Sequence, residues 1–261
     1  MDSNIFARLQ ALSSMTEEST IDQSRTVLRR IVDFFKAQED YDANIHAFAE
    51  YVRFLKPETL YQCESFMVQP NVTYQQLPEE FRHDSYGFCR NDYLVFSGRY
   101  VYPVKDVKGN IMGFCGYDKF EDTKYLDSTN YGYRAKTYSC WGMECLPTYY
   151  RNSEPVFFVE GIVCALYLRQ CNLQSLALLG SSVSAYMTQI IRRFGSRAII
   201  VCDSDESGTK CRRYLRNSCP LARCVQSTIA KDIDDSRQVD DNFAAELAKL
   251  RNPYYRSKLF T

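Results

Sequence analysis

Apolar residues recur at helical spacing through residues 1–56. The first stretch holds Ile5, Phe6, Leu9 and Leu12; the second holds Val27, Leu28, Ile31, Val32 and Phe35; the third holds Ile45, Phe48, Val52 and Leu55. "MTEEST" and "QEDYDAN" separate the three stretches, and Lys56-Pro57 stops the last. Residues 1–56 therefore read as a small helical segment, a cap or interaction module expected to be dispensable for chemistry. Between 57 and 153 the helical period fades and tyrosines accumulate. "YLVFSG", "YVYPVKDVKGNIMGFCGYD" and "DSTNYGY" predict strands and turns, with Asp106 to Asn110 as one hairpin turn. This middle region is expected to be an antiparallel, partly exposed sheet.

From 154 to 261 the texture changes again. The apolar runs "PVFFV", "SLALL" and "RAIIVC" alternate with helical stretches "EGIVCALYLRQC", "SAYMTQIIRRF" and "ESGTKCRRYLRN". "ARCVQST", an acidic "KDIDD" and a helix near "DNFAAELAKL" follow. Strands separated by helices of this length predict parallel βαβ units in a doubly wound α/β sheet. Such sheets place their chemistry at the carboxyl ends of the strands.

Acidic residues stand at those predicted ends. Glu160 follows the first strand, Asp203 and Asp205 follow the third, and Asp232 and Asp234 come a few residues after the fourth. Adjacent strands lie about 4.8 Å apart, so acids at one end of neighbouring strands converge. Taken singly, each has a blander reading: Asp203 as the cap of a helix starting near Glu206, and "KDIDD" as a solvated loop. Three acidic clusters in succession favour a shared cation. All-oxygen ligands suit Mg2+ or Mn2+ rather than zinc.

Composition narrows the field. Of 261 residues, Lys plus Arg number 32 and Asp plus Glu 32, so any basic surface must be local. No apolar run approaches the ~18 residues of a membrane span, and "MDSNIFARLQ" has no signal-peptide core. There are eleven cysteines but no C-x-x-C, and only two histidines, which disfavours a zinc ribbon. Cys164 and Cys202 fall inside apolar runs, so the cysteines read as packing residues in a reducing, cytoplasmic compartment.

The segments "FFVEGIVCALYLRQCNLQSLALLGSSVS", "VCDSDESG" and "KDIDD", in that order, resemble the TOPRIM domain of topoisomerases, bacterial-type primases and some nucleases. Upstream, "GRYVYPVKDVKGNIMGFCGYDKFEDTKYLDS" and "AKTYSCWGM" resemble the catalytic core of DnaG-type primases. The match runs over roughly residues 85 to 240. It implies an RNA-polymerase-type subdomain at 57–153, of mixed α+β structure, packed on a TOPRIM subdomain at 154–261. It also implies that Glu160, Asp203 and Asp205 are catalytic and, with Asp232 and Asp234, hold two divalent ions. Arg99, Lys124, Tyr125 and Lys136 fall on the family's basic surface, where they would hold template phosphates or the incoming triphosphate, and the resemblance adds Gly180, Ser181 and Gly208 to the residues binding nucleotide or template. Read alone, Lys124 and Lys136 are ordinary exposed lysines.

This chain departs from the family at three positions. Tyr117 stands where the family has arginine, with Lys119 nearby; Asp127 stands in "KYLDS"; and Cys164 stands where the family has an acid. Neither a zinc ribbon before the match nor a helicase-binding domain after it is expected from these 261 residues. The expectation is a minimal primase of a mobile element or virus, or one part of a split system. It would make RNA primers from ribonucleoside triphosphates on single-stranded DNA, with a replicative helicase as candidate partner and no membrane association. Two rivals use the same residues differently. A TOPRIM nuclease needs the acids but not the basic residues, and an inert accessory protein would bind DNA or helicase through residues 1–56.

Overall fold

The computed structural model describes residues 18–52, 55–118, 120–121, 124–128, 140–231, 233, 236, 242–252 and 254–261. Helices α1 (Glu18–Lys36), α2 (Tyr41–Val52) and α3 (Pro57–Gln62) come first. Strands β1 (Phe66–Met67), β2 (Cys89–Arg90), β3 (Tyr93–Leu94), β4 (Tyr100–Lys105), β5 (Ile111–Tyr117) and β6 (Tyr125–Asp127) follow. β2 and β3 pair alone; the other four form an antiparallel sheet in the order β1-β4-β5-β6. The predicted turn is there. Asp106 Oδ1 accepts from the backbone N–H groups of Lys108 and Asn110, at 2.8 and 3.0 Å.

The second half runs α4 (Leu146–Arg151), β7 (Val156–Val159), α5 (Ile162–Gln170), β8 (Gln174–Ala177), α6 (Ala185–Phe194), β9 (Ala198–Cys202), α7 (Glu206–Ser218), β10 (Arg223–Gln226) and α8 (Phe243–Lys249). Its four strands are parallel in the order β10-β9-β7-β8. The chain leaves β7 for β8 on one side and returns on the other as β9. The topological switch point therefore lies between the carboxyl ends of β7 and β9, where doubly wound sheets open a crevice.

Both faces of the parallel sheet are covered, which is why its strands read as unbroken apolar runs. Val156, Phe158 and Ile200 pack under α6 and α7 with Met187, Ile191 and Leu215. The alternate residues Phe157, Val159, Ile199 and Val201 join α5 in a core shared with Tyr100, Tyr102 and Tyr117 of the antiparallel sheet. Trp141 extends the junction, exchanging both backbone hydrogen bonds with Ala177 of β8.

The centre of the antiparallel sheet is more buried than its sequence suggested, while its edge strand β6 is half-buried. β4 and β5 are buried on both faces: Val101 and Phe114 meet Leu28, Ile31 and Phe35 of α1, while Tyr100 and Tyr102 meet Phe48 of α2. The Phe48 and Tyr100 rings stack with centroids 3.7 Å apart. Helices α1 and α2 thus cover the two sides of this sheet, and their burial argues against the dispensability expected of residues 1–56. All eleven cysteines are free thiols and eight are buried, as packing residues would be. No helix among the described residues is long and apolar enough to cross a membrane.

Helix α1 is also clamped electrostatically. Glu64, in a left-handed conformation (φ 57°) before β1, accepts two hydrogen bonds from Arg29 of α1 at 2.6 and 3.2 Å and one from Lys105 of β4 at 2.5 Å. Burial alone would raise its carboxyl, but Arg29 and Lys105 win and hold it down to about 2, below its ordinary 4.5. A carboxyl depressed on folding stabilises fully above its ordinary range, and that stabilisation is lost as pH falls from about 4.5 towards 2. Glu64→Gln is expected to cost roughly 2 kcal/mol at neutral pH, after allowance for partial exposure. Urea unfolding of the two proteins should converge progressively as pH falls from about 4.5 towards 2. A pH-independent gap would show that the clamp does not work through charge.

Candidate active site

The strand ends at the switch point are laced together through Glu160, the residue after β7. Its carbonyl accepts from Gly180 N–H at 3.2 Å, beyond β8, and its Oε1 accepts from Asp203 N–H at 3.1 Å, beyond β9. Positive φ at Leu179 (61°) and Gly180 (127°) turns the chain back after β8. The Ser181 hydroxyl then hydrogen-bonds that of Ser207, tying this loop to the start of α7.

The loop from Asp203 into α7 is unusually tight. A Cβ on Gly208 would sit 2.0 Å from the Asp203 carbonyl oxygen, so only glycine fits. Asp205, not Asp203, is the N-cap: its Oδ1 accepts from Gly208 N–H at 2.8 Å. The helix begins at Glu206, and a cap side chain reaches the amide two or three residues into its helix. The other Asp205 oxygen lies 3.1 Å from Lys231 Nζ. The Gly208 N–H and then Lys231 hold this carboxyl below its usual range.

Three residues that the sequence reading did not single out brace this loop. Gln226 Nε2 donates to the Asp203 carbonyl at 2.7 Å, and Ser204 Oγ to the Ser227 carbonyl at 2.5 Å. Lys231 accepts from Ser204 N–H through its own carbonyl, at 2.5 Å. The one signal for them in sequence was a lysine directly before the "DIDD" run.

The basic residues divide. Lys124 is exposed beside β6. Arg99, expected on the same surface, is only 9% exposed; its guanidinium donates to the Lys124 carbonyl at 3.3 Å and lies 3.8 Å from Glu121. It holds the segment that carries Lys124. Tyr125 crosses to the parallel half, where its hydroxyl accepts from Val163 N–H at 3.4 Å. Val163 lies in the first turn of α5, whose N-cap is Gly161 and has no side chain to serve that amide. A Cβ on Gly161 would meet the Tyr125 hydroxyl oxygen at 2.7 Å.

The departures from the family pattern sit in this seam. Tyr117 is buried, its ring 5.0 Å from that of Tyr125, and Cys164 is buried in the shared core. Asp127 is half-buried and paired in register with Cys115. Lys119, Lys136, Asp232 and Asp234 lie outside the described residues. Glu160 and Asp203 are neighbours with the hard-oxygen chemistry that suits Mg2+ or Mn2+. Among the described residues, however, no three His, Cys, Asp or Glu side chains gather to hold an ion. The described carboxylates therefore fit a metal only as part of a ligand set.

No family model matches the chain. It is similar to the DNA primases of Legionella pneumophila (26% identical over 132 residues, 49% of this chain and 23% of the relative) and Buchnera aphidicola (30% over 127 residues, 46% and 21%). That of Listeria innocua is 26% identical over 169 residues, 64% of this chain and 27% of the relative. The chain thus matches about a quarter of these relatives' length. Among solved structures, the DnaG catalytic core superposes with TM-score 0.70 at 21% identity, covering 87% of this chain and 79% of that one. The zinc-binding and RNA polymerase domains of Aquifex aeolicus primase give 0.71 at 19% identity (92% and 62%). A DnaG catalytic domain bound to single-stranded DNA gives 0.69 at 20% (88% and 78%). With its antiparallel sheet joined to a four-stranded parallel one, the chain has the fold of the DnaG primase catalytic core, and in sequence it is similar to bacterial DNA primases.

Proposed function

We propose that the chain is a DNA-directed RNA primase core. In this reading residues 57–153, with α1 and α2 packed on them, form the RNA-polymerase-type part and residues 154–261 the TOPRIM part. The observation that carries the proposal is the meeting of opposite charges at one seam. Glu160 and Asp203 share the switch point, and the segment bearing Lys124 is joined to the same strand end through Tyr125 and Val163.

Glu160, Asp203 and Asp205, with Asp232 and Asp234, are the residues assigned to Mg2+ or Mn2+. When bound, such ions neutralise phosphate charge and lower the pKa of an attacking hydroxyl. Glu160 also orients the Asp203 backbone, and Asp205 sets the start of α7. Lys124 and Lys136 supply fixed positive charge for the triphosphate or the template, and Arg99 positions Lys124 through its carbonyl. Gly180, Ser181 and Gly208 keep the loops after β8 and β9 close, leaving backbone room for phosphates. Single-stranded DNA is the proposed template, in line with the structural neighbour solved bound to it. Ribonucleoside triphosphates are the substrates, a replicative helicase the recruiting partner, and the cytoplasm the place of action.

The test is to incubate the chain with single-stranded DNA, Mg2+ or Mn2+ and labelled ribonucleotides, and to resolve short RNA. Lys124→Ala and Lys136→Ala should each raise the nucleotide KM about tenfold or more, the size of one lost charge-assisted contact, without lowering Tm. A wild type that cuts DNA, makes no RNA and is indifferent to both changes is a nuclease instead.

A further inference from the structure

Along the outer edge of β10 lies a cavity of about 620 Å³, walled by α7, β10 and residues 256–261. Arg212, Arg216, Arg223 and Arg256 line it, above an apolar floor that includes Val225 and Phe260. Among the described residues no Asp or Glu lines it, and none of the four arginines is in an ion pair.

Each arginine contributes in its own way. Arg212 and Arg216 are four residues apart on α7, so their charges share one face and repel unless an anion lies against them. Arg212 donates to Gln226 Oε1 at 2.9 Å and to Thr261 Oγ1 at 3.3 Å. Its Nε is shut off from solvent and has no partner among the described residues. Arg223 donates to the carbonyls of Leu250, Asn252 and Tyr255, groups that carry no formal charge to balance its own. Arg216 and Arg256 are exposed and have no hydrogen bond among the described residues. Glu246 reaches the rim through Ser257 at 2.7 Å but is engaged by Lys249 at 2.8 Å.

Guanidinium groups present forked donors that match phosphate oxygens in pairs. The volume is that of a small-ligand pocket, and the floor suits a base or sugar. We propose that this cavity is a phosphate-binding site separate from the carboxylate site, taking the phosphates of a nucleotide or of a nucleic-acid strand. The site has a direct line to the carboxylates. The Gln226 amide that accepts from Arg212 donates to the Asp203 carbonyl, so an anion at Arg212 is two hydrogen bonds from the metal-side loop.

The experiment uses as its reference protein the full chain carrying Lys124→Ala and Lys136→Ala, which removes the charges assigned to triphosphate and template. It is titrated with ADP and, separately, with a fluorescent single-stranded oligonucleotide, both in EDTA so that no divalent ion bridges phosphates to the carboxylates. Adding Arg216→Ala/Arg256→Ala removes two guanidiniums that have no hydrogen-bond partners among the described residues, and the Tm should not change. We expect the resulting protein to bind about a hundredfold more weakly, tenfold per charge-assisted contact, while Asp203→Asn added instead binds as the reference does. A loss confined to ADP identifies a free nucleotide as occupant. A loss confined to the oligonucleotide, with its salt slope reduced by about two, identifies a strand. A reference protein that binds neither probe, or added arginine changes that leave both unchanged, overturns the proposal. Because RNA synthesis is not measured, either result is independent of the primase reading.

Discussion

Glu160→Gln should lose RNA synthesis by a hundredfold or more while melting close to the wild-type temperature. The hydrogen bond that Glu160 makes to Asp203 N–H uses one oxygen, and glutamine keeps an oxygen acceptor at that place. What the change removes is the negative charge, worth several kcal/mol to a bound divalent ion and the phosphates it neutralises. Fold and chemistry are therefore separated by one atom. Activity retained within a fewfold of wild type would remove Glu160 from the site. A collapse in Tm would make its role that of a brace between β7 and β9.

Gly208→Ala is the expected structural counterpart. The added methyl would lie 2.0 Å from the Asp203 carbonyl oxygen and 2.7 Å from its carbon, and backbone cannot swing aside as a long side chain can. The turn between β9 and α7 has to open by more than an ångström, breaking the Asp205 cap and shifting Asp203. Overpacking of this kind costs about 3 kcal/mol, or roughly 6–12 °C in Tm for a chain of this size. Activity should vanish with it. Asn217→Ala, on the same helix and exposed, is the control and should melt normally. If Gly208→Ala melts with the control, the close approach is not part of the folded chain.

The parallel half was legible because its strands carry one message at every position. Residues 156–159 and 198–202 are apolar on both faces, and the glycine and acidic breaks fall where the strands end. The antiparallel half was harder to read. Tyrosine pairs an apolar ring with a polar tip, so its position in a strand does not tell the buried face from the exposed one, and the burial of Tyr100 and Tyr102 becomes plain only with α1 and α2 enclosing their sheet. Sequence spacing gave the D-x-D pair but not the division of labour within it: which aspartate caps α7 depends on where the helix starts. Nor does spacing reveal that Arg99 is turned inward to the Lys124 carbonyl. That follows from burial at Gly116, where the Arg99 stem lies 3.2 Å from a would-be Cβ.

Tyr125 and Gly161 bear on how this sequence can drift. The phenol occupies the space that a side chain at 161 would need, and its hydroxyl serves a helix-end amide that glycine leaves unserved. Neither position is free to vary alone. A larger residue at 161 requires a smaller one at 125, and a smaller residue at 125 leaves the Val163 amide in want of an acceptor. The two are thus expected to be exchanged together across descendants of this chain, one capable of capping wherever the other is cut back. Such paired replacement, read from sequences alone, would mark the seam as an inherited joint between the two sheets.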